Sequence, residues 1–276
     1  KEEAALQSAS VKNDKGETEI QAVGSENCLN LDIYTEKDAK DLPVIVFVHG
    51  GNNQTGNSFE IPGYDMVKTD KVVYVSLNYR LGLLGFNNLP AILDSDNPTG
   101  NFAMLDLEKA LTWVRENIAN FGGDAKNVTI SGFSAGGRDV MAMLLSPQFE
   151  GLFDKAIAYS GGMTIADSDA SVKKIAETIA PLVVEDKVKA TEEEAAAWLA
   201  EDTKEVADYL NKLSADRLVK LFPNAGIRMA KFPHLYNDGI VLPKEGFDSN
   251  TYVNDVPLMM VTGSEEFSMF GCFDPI

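Results

Sequence analysis

The stretch Asn127–Gly137, NVTISGFSAGG, decides how the rest of this chain is interpreted. Its first part, Val128–Ser131, is a short β-branched and apolar run of the kind that forms a buried strand. Residues 132–136, GFSAG, follow as a G-x-S-x-G, and the helix-like run Asp139–Leu145 comes next. Strand, tight turn and helix in this order make a nucleophile elbow, in which glycines let the backbone pass close to its neighbours. The sequence therefore predicts that Ser134 is a catalytic nucleophile.

A second motif upstream supports this interpretation, because a G-x-S-x-G alone is short enough to arise by chance. Residues 44–51, VIVFVHGG, form an apolar run that ends in a glycine pair, as a buried parallel strand would end in a loop of exposed N–H groups. Attack of a serine on an ester creates an oxyanion, which such donors stabilise. We expect the donors to be the N–H groups of Gly50, Gly51 and Ala135, the last being the residue after the nucleophile.

Motifs spread over residues 25–270 resemble, in the same order, those of the type-B carboxylesterase and cholinesterase family. They are SENCLNL (25–31), HGG (49–51), NYRLG (78–82), GN (100–101), WVRENIANFGG (113–123), GFSAGG (132–137), DG with LP (238–239 and 242–243) and GSEEFSMF (263–270). The resemblance implies an α/β-hydrolase fold, with a mostly parallel central sheet flanked by helices. It also implies hydrolysis of carboxylic esters through an acyl-enzyme and a Ser, Glu and His triad.

The chain departs from the family's pattern near the expected site. Asn52 stands where the family usually has a third glycine, which leaves the backbone N–H in place but makes that donor position less certain than Gly51. Phe133 stands where the residue before the nucleophile is usually glutamate. The second change removes a carboxylate beside the serine.

The acid of the triad is expected in a loop after the nucleophile, at the carboxyl end of a strand. Pro257–Thr262 is the last predicted strand, and two glutamates lie in the loop that follows it. Similarity to the family's E-G-S-x-F pattern selects Glu266. Glu265 is the runner-up, because Phe267 replaces the customary glycine, and a further alternative is that both are ordinary surface glutamates.

The base is the element that the sequence does not supply. The chain has two histidines, and none follows Glu266, where the family's order requires one. His49 lies in the oxyanion motif and is expected to brace that loop, while His234 matches no triad position and is only an alternative base. Ser160, at the end of the predicted strand Lys155–Gly161, is expected either to support the triad or to make an ordinary strand-end hydrogen bond. We therefore expect the catalytic histidine, with the final strand and helix of the fold, to lie outside this chain.

Composition sets the remaining expectations. With 276 residues, 45% of them hydrophobic, the chain can bury a large core, and we expect one partial α/β-hydrolase domain over residues 1–276. An acidic, helix-patterned segment at 165–225 is expected to be an insertion that covers the upper edge of the sheet. The two cysteines, Cys28 and Cys272, are expected to be unpaired thiols.

The expected partners are few. A formal charge of −18 argues against nucleic acid and anionic membranes as partners, and no run approaches the ~18 apolar residues of a membrane span. The sequence predicts a small-molecule ester as substrate, no cofactor and no metal. It also predicts the remainder of the same enzyme as a partner, possibly as a separate chain. The compartment stays open, with the cytoplasm slightly favoured over secretion.

Two other functions fit the same residues. A catalytically silent, cholinesterase-like binding or adhesion protein would explain the lack of a triad histidine, although such proteins commonly lack the serine as well. A hydrolase of amide, carbamate or thioester bonds would use the same elbow.

Overall fold

The computed structural model describes residues 3–96, 98–221, 232–249 and 252–266 of the chain. Within these residues the strands are β1 (Gln7–Lys12), β2 (Thr18–Val23), β3 (Leu31–Tyr34), β4 (Leu42–Val48), β5 (Val73–Leu77), β6 (Gly123–Phe133), β7 (Lys155–Tyr159) and β8 (Leu258–Val261). The helices are α1 (Tyr64–Asp70), α2 (Gly82–Gly85), α3 (Phe102–Asn117), α4 (Ala135–Leu145), α5 (Ser168–Glu185), α6 (Glu192–Leu199), α7 (Lys204–Leu210) and α8 (Ala215–Val219).

Six strands form one central sheet in the order β3-β5-β4-β6-β7-β8. The edge strand β3 is antiparallel to β5, and every other neighbouring pair is parallel. The strands predicted from apolar runs lie in the middle of this sheet, where both faces are covered and an uninterrupted apolar run is stable. The predicted, mostly parallel sheet flanked by helices is confirmed, and the antiparallel β3 makes it mixed.

The side chains of β5 show how the two faces are buried. Val73, Val75 and Leu77 point into the main core, which also takes in α3 and α4. Tyr74 lies on the other face and packs with Val67 of α1. This alternation follows from the two-residue repeat of a strand, and it fixes the register in which the strand ends meet.

The N-terminal segment forms the antiparallel hairpin β1–β2, apart from the central sheet. Helices α5 to α8 lie within the predicted insertion, whose limits at 165–225 stay a prediction. Helix α7 packs against the 3-10 turn Pro90–Ile92, and α8 packs against α2 and the hairpin. In the part of the chain that the structure describes, no helix is both long and apolar enough to cross a membrane. Cys28 is buried and is not in a disulfide; Cys272 lies outside the described residues.

The carboxyl ends of four parallel strands meet at one edge of the sheet. Val48 of β4 pairs with Gly132 of β6, Phe133 of β6 pairs with Tyr159 of β7, and Tyr159 pairs with Val261 of β8. The loops that follow these strands therefore converge, which is where open α/β sheets bind their ligands. The predicted nucleophile, oxyanion loop and acid all lie in these loops.

Candidate active site

Ser134 lies at a sharp turn between β6 and α4. Its backbone has φ 56° and ψ −115°, a conformation that L-residues rarely adopt and that costs on the order of 1–3 kcal/mol. Two hydrogen bonds hold it there: the Ser134 N–H donates to Tyr159 O at 2.8 Å, and the Arg138 N–H donates to Ser134 O at 3.0 Å. A strained serine held by β7 on one side and α4 on the other is the geometry predicted for an elbow.

Two glycines make this turn possible because the backbone passes close by on both sides. A Cβ at Gly132 would lie 2.3 Å from Gly136 O, and a Cβ at Gly136 would lie 2.1 Å from Val48 O. Both obstacles are backbone atoms that cannot rotate away. Helix α4 begins at Ala135, four residues before the predicted run. The sequence pattern missed the first turn because it contains Gly136 and Gly137, and glycine is a poor helix former. Gly136 is needed there because the backbone of Val48 passes close to it.

The predicted oxyanion loop lies directly against the elbow. A Cβ at Gly50 would lie 2.8 Å from Phe133 O and 3.2 Å from Ser134 Cβ. Gly51 has φ 96°, and a Cβ there would lie 2.1 Å from Thr55 O. Ala135 is the first residue of α4, so its N–H has no acceptor within the helix and carries the partial positive charge of a helix start. The structure thus places Gly50 close to Ser134, which Ala135 follows in the chain; the role of both residues as oxyanion donors stays a prediction.

A buried polar network, missed in the sequence, ties this loop to α4. Asn52 and Asn53 both have left-handed backbones, with φ of 56° and 57°, which asparagine tolerates better than most residues. Asn53 Nδ2 donates to Asp139 Oδ1 at 2.9 Å, and the Tyr79 hydroxyl is 3.0 Å from both Asn53 Oδ1 and His49 O. Burial raises the pKa of Asp139 to about 7. The feature of the sequence that could have indicated this network is Asp139, a single aspartate among the apolar residues of α4.

His49 is buried beneath the loop that follows β4, where the sequence predicts a bracing role for it. Its ring is completely buried and stacks on Tyr79, with the ring centroids 4.5 Å apart. Its Nδ1 lies 2.9 Å from Gly50 O, which is consistent with an N–H donated to that carbonyl. Burial lowers the pKa of His49 to about 4, so the imidazole is neutral at pH 7. Within the described residues no hydrogen bond joins His49 to Ser134.

Ser160 and Glu266 are in direct contact. Ser160 Oγ donates to Glu266 Oε1 at 2.5 Å, and the Gly263 N–H donates to the same oxygen at 2.7 Å. These two hydrogen bonds favour the ionised form and lower the pKa of the Glu266 carboxyl. Ser160 is itself held in a left-handed conformation, with φ 50°, by its N–H bond to Val261 O. The structure thus places Glu266 beside Ser160.

One open cleft joins Ser134 to Ser160 and Glu266. It has a volume of about 860 Å³, and its walls include Ser134, Ser160, Glu266, Arg138, Thr164 and Ile165. A nucleophile, a carboxylate and an oxyanion loop around one cleft are what acyl transfer needs. Among the described residues, no three His, Cys, Asp or Glu side chains are grouped so as to hold a metal ion. Phe267 lies outside the described residues.

His234 makes no hydrogen bond to Ser134 among the described residues. It is fully buried, its Nδ1 lies 2.9 Å from Phe232 O, and its Nε2 lies 2.9 Å from Arg138 Nη1. Arginine has no acceptor, so Nε2 accepts and Nδ1 carries the proton. Burial, with the nearby Arg138 charge, lowers the pKa of His234 to about 3. With both ring nitrogens occupied, His234 is not placed to act as the base.

Comparison with known proteins identifies close relatives. Residues 2–275 match the sequence profile of the Carboxylesterase family. The chain is 42% identical over 160 residues to liver carboxylesterase 1 of Oryctolagus cuniculus, an alignment that covers 56% of this chain and 28% of the relative. It is 33% identical over 254 residues to the para-nitrobenzyl esterase of Bacillus subtilis, covering 89% of this chain and 48% of the relative.

The solved structures agree with the sequences. A structure titled PNB esterase superposes with a TM-score of 0.74 at 30% identity, over 90% of this chain and 51% of that one. The predicted α/β-hydrolase fold is therefore confirmed. The chain spans about half the length of this structure and of the Bacillus relative, and the part aligned with the liver enzyme covers 28% of that enzyme.

Proposed function

We propose, from the premise that this chain belongs to the carboxylesterase family, that the protein hydrolyses carboxylic esters with Ser134 as its nucleophile. The observation that carries the proposal is the position of Gly50, whose missing side chain lets the loop after β4 lie against Ser134. A strained serine between a glycine loop and a helix start has the parts that acyl transfer requires.

In the proposed reaction, Ser134 Oγ attacks the carbonyl carbon of the ester while its proton passes to a histidine base. The carbonyl oxygen becomes an oxyanion and accepts hydrogen bonds from the N–H groups of Gly50, Gly51 and Ala135. The tetrahedral intermediate then breaks its bond to the alcohol oxygen, which takes the proton from the histidine. A water molecule repeats the same steps on the acyl-enzyme, releasing the carboxylic acid and restoring the hydroxyl.

The proposed triad uses Glu266 to orient the base. Its carboxylate already accepts two short hydrogen bonds through Oε1, from Ser160 and Gly263, so it is held in one position and kept ionised. The base is proposed to come from the remainder of the enzyme, because His234 has both ring nitrogens engaged and the buried His49 makes no hydrogen bond to Ser134 among the described residues. The remainder is accordingly a required partner, in the same polypeptide or a second one.

Turnover of p-nitrophenyl acetate by the full-length protein tests this proposal. We expect Ser134→Ala to abolish turnover, since the nucleophile is lost, and Ser10→Ala, at an exposed position on β1, to leave it unchanged. Equal turnover in wild type and Ser134→Ala would contradict the proposal. No turnover by a correctly folded full-length wild type would instead favour the silent binding protein.

The bond that is cleaved needs a separate comparison. The elbow, the glycine loop and the carboxylate would serve equally well in the hydrolysis of an ester, an amide, a carbamate or a thioester. Our proposal of an ester as substrate therefore rests on family membership. Rates on p-nitrophenyl acetate and p-nitroacetanilide under one set of conditions distinguish the first two. A faster anilide reaction would replace the ester by an amide as the proposed substrate.

A further inference from the structure

We propose that Arg138 binds an anionic group of the substrate, so that this enzyme prefers esters that carry a carboxylate elsewhere in the molecule. This inference rests on the proposed function, since it assigns a substrate class to the same cleft. It starts from a cation that lies beside the nucleophile and to which the proposed triad gives no role.

Arg138 is held at the cleft wall within one helical turn of the nucleophile. Its backbone N–H donates to Ser134 O at 3.0 Å, and its side chain lines the cleft together with Thr164 and Gly162. Nη1 donates to His234 Nε2 at 2.9 Å. His234 is a rigid anchor, because it is buried, neutral and fixed through Nδ1 to Phe232 O. The guanidinium therefore has a fixed position in the cleft before any substrate arrives.

The Arg138 guanidinium forms no salt bridge within the part of the chain that the structure describes. Among the described residues, the other three arginines each form a salt bridge with carboxylates, in the pairs Arg80–Asp106, Arg115–Asp154 and Arg217 with Glu185 and Asp186. Arg138 forms none there, and its Nε is buried without a hydrogen-bond partner. The adjacent Asp139 acts on Arg138 only through space, because its carboxyl is bonded to Asn53 and forms no salt bridge with the guanidinium.

A partly buried cation without an anion is costly, and a ligand carboxylate would remove that cost. The free donors lie on the side of Gly162: a Cβ built there would lie 3.6 Å from Nε, 3.7 Å from Nη2 and 3.7 Å from Thr164 Oγ1. Guanidinium N–H groups and a hydroxyl directed to one side suit a carboxylate, which accepts several hydrogen bonds at once. His234, which had no role as a base, is then a positioning residue for Arg138.

The net negative charge of the chain does not argue against the binding of an anionic group by Arg138. A formal charge of −18 repels anions at long range, but that repulsion is screened over about 8 Å at physiological salt. A contact inside the cleft acts at hydrogen-bond distance, where screening is weak. The net charge therefore slows the approach of anionic esters without cancelling their affinity for Arg138.

The test compares monoethyl glutarate with ethyl pentanoate, which have the same five-carbon acyl chain with and without a terminal carboxylate. We would measure kcat/KM for both in a pH-stat, with the full-length protein. We expect the ratio of the anionic to the neutral ester to fall about 10- to 100-fold in Arg138→Gln, the effect of losing a hydrogen bond to a charged group. Arg138→Lys, which keeps the charge, should lose less. Arg217→Gln, an arginine on α8 that pairs with surface carboxylates, is the matched control and should keep the wild-type ratio.

Binding to an inactive protein separates this inference from the proposed function. Ser134→Ala should bind monoethyl glutarate in a calorimeter, and Ser134→Ala with Arg138→Lys should bind it more weakly. An anionic-to-neutral ratio that Arg138→Gln and Arg138→Lys both leave unchanged would overturn the inference while ester hydrolysis stands. If the wild-type protein hydrolysed neither ester but binding of monoethyl glutarate still depended on Arg138, the proposed ester hydrolysis would be overturned and the inference about Arg138 would stand.

Discussion

Replacing Gly50 with alanine should slow catalysis far more than it destabilises the fold. Gly50 is not among the glycines with positive φ, so its backbone conformation itself permits alanine. The new Cβ would lie 2.8 Å from Phe133 O and 3.2 Å from Ser134 Cβ, closer than the 3.4 Å at which ordinary contacts begin. Because neither atom can rotate away, the loop and the elbow must separate by about 0.6 Å.

That separation acts on the distance on which oxyanion stabilisation depends. Donors work at about 2.7–3.1 Å from the developing charge, and losing one costs about 100- to 1000-fold in kcat. A shift of about half an ångström weakens such a contact without removing it, so we expect kcat to fall about 10- to 100-fold. Crowding of this kind costs stability on the order of 1–3 kcal/mol, which leaves a protein of ordinary stability folded.

The assay is kcat for p-nitrophenyl acetate, normalised to the concentration of serine that an organophosphate titrates, with urea unfolding measured on the same samples. Gly151→Ala is the control, because Gly151 has φ 73° and no neighbour within 4 Å of its Cβ. It should lose on the order of 1 kcal/mol of stability to backbone strain and keep its kcat. A folded Gly50→Ala protein with wild-type kcat would refute the placement of this loop at the oxyanion.

Other residues give predictions of different kinds. Asp139 has a pKa near 7 in the folded protein against 3.8 unfolded, so stability should fall as pH rises from about 4 to 7, by about 4 kcal/mol, and stay level above. Urea unfolding at pH 5 and pH 8 measures this loss of stability, and Asp139→Asn should remove the contribution of Asp139 to it. The same loss in wild type and Asp139→Asn would disprove the raised pKa of Asp139. Ser160→Ala should raise the pKa of Glu266, whose Oε1 loses its shortest hydrogen bond. Carboxyl carbon NMR measures this, and an unchanged titration would show that the contact does not persist in solution.

Local patterns predicted the framework well because the framework depends on local chemistry. The apolar run Val44–Val48 corresponds to the carboxyl-terminal part of β4, and the glycines of residues 132–136 occupy the positions where backbone crowds backbone. The start of α4 was missed for the same reason, since glycines needed for close approach look like helix breakers. A family resemblance added Glu266, which its sequence context alone could not separate from Glu265.

The contacts that sequence reasoning missed are all distant in the chain. Asn53 and Asp139 are 86 residues apart, and Arg138 and His234 are 96 residues apart. Nothing in a local window signals that two such side chains will meet, because their contact depends on the sheet order and the packing of loops over its edge. The sequence therefore leaves His234 as an alternative base, whereas the structure makes it the partner of an arginine.

The most direct measurement is a crystal structure of the full-length protein after reaction with an organophosphonate. We expect phosphorus bonded to Ser134 Oγ, with a phosphonyl oxygen within 3.1 Å or so of the N–H groups of Ala135 and of Gly50 or Gly51, the span over which oxyanion donors act. An adduct on another residue, or a phosphonyl oxygen directed away from those amides, would contradict the proposed site.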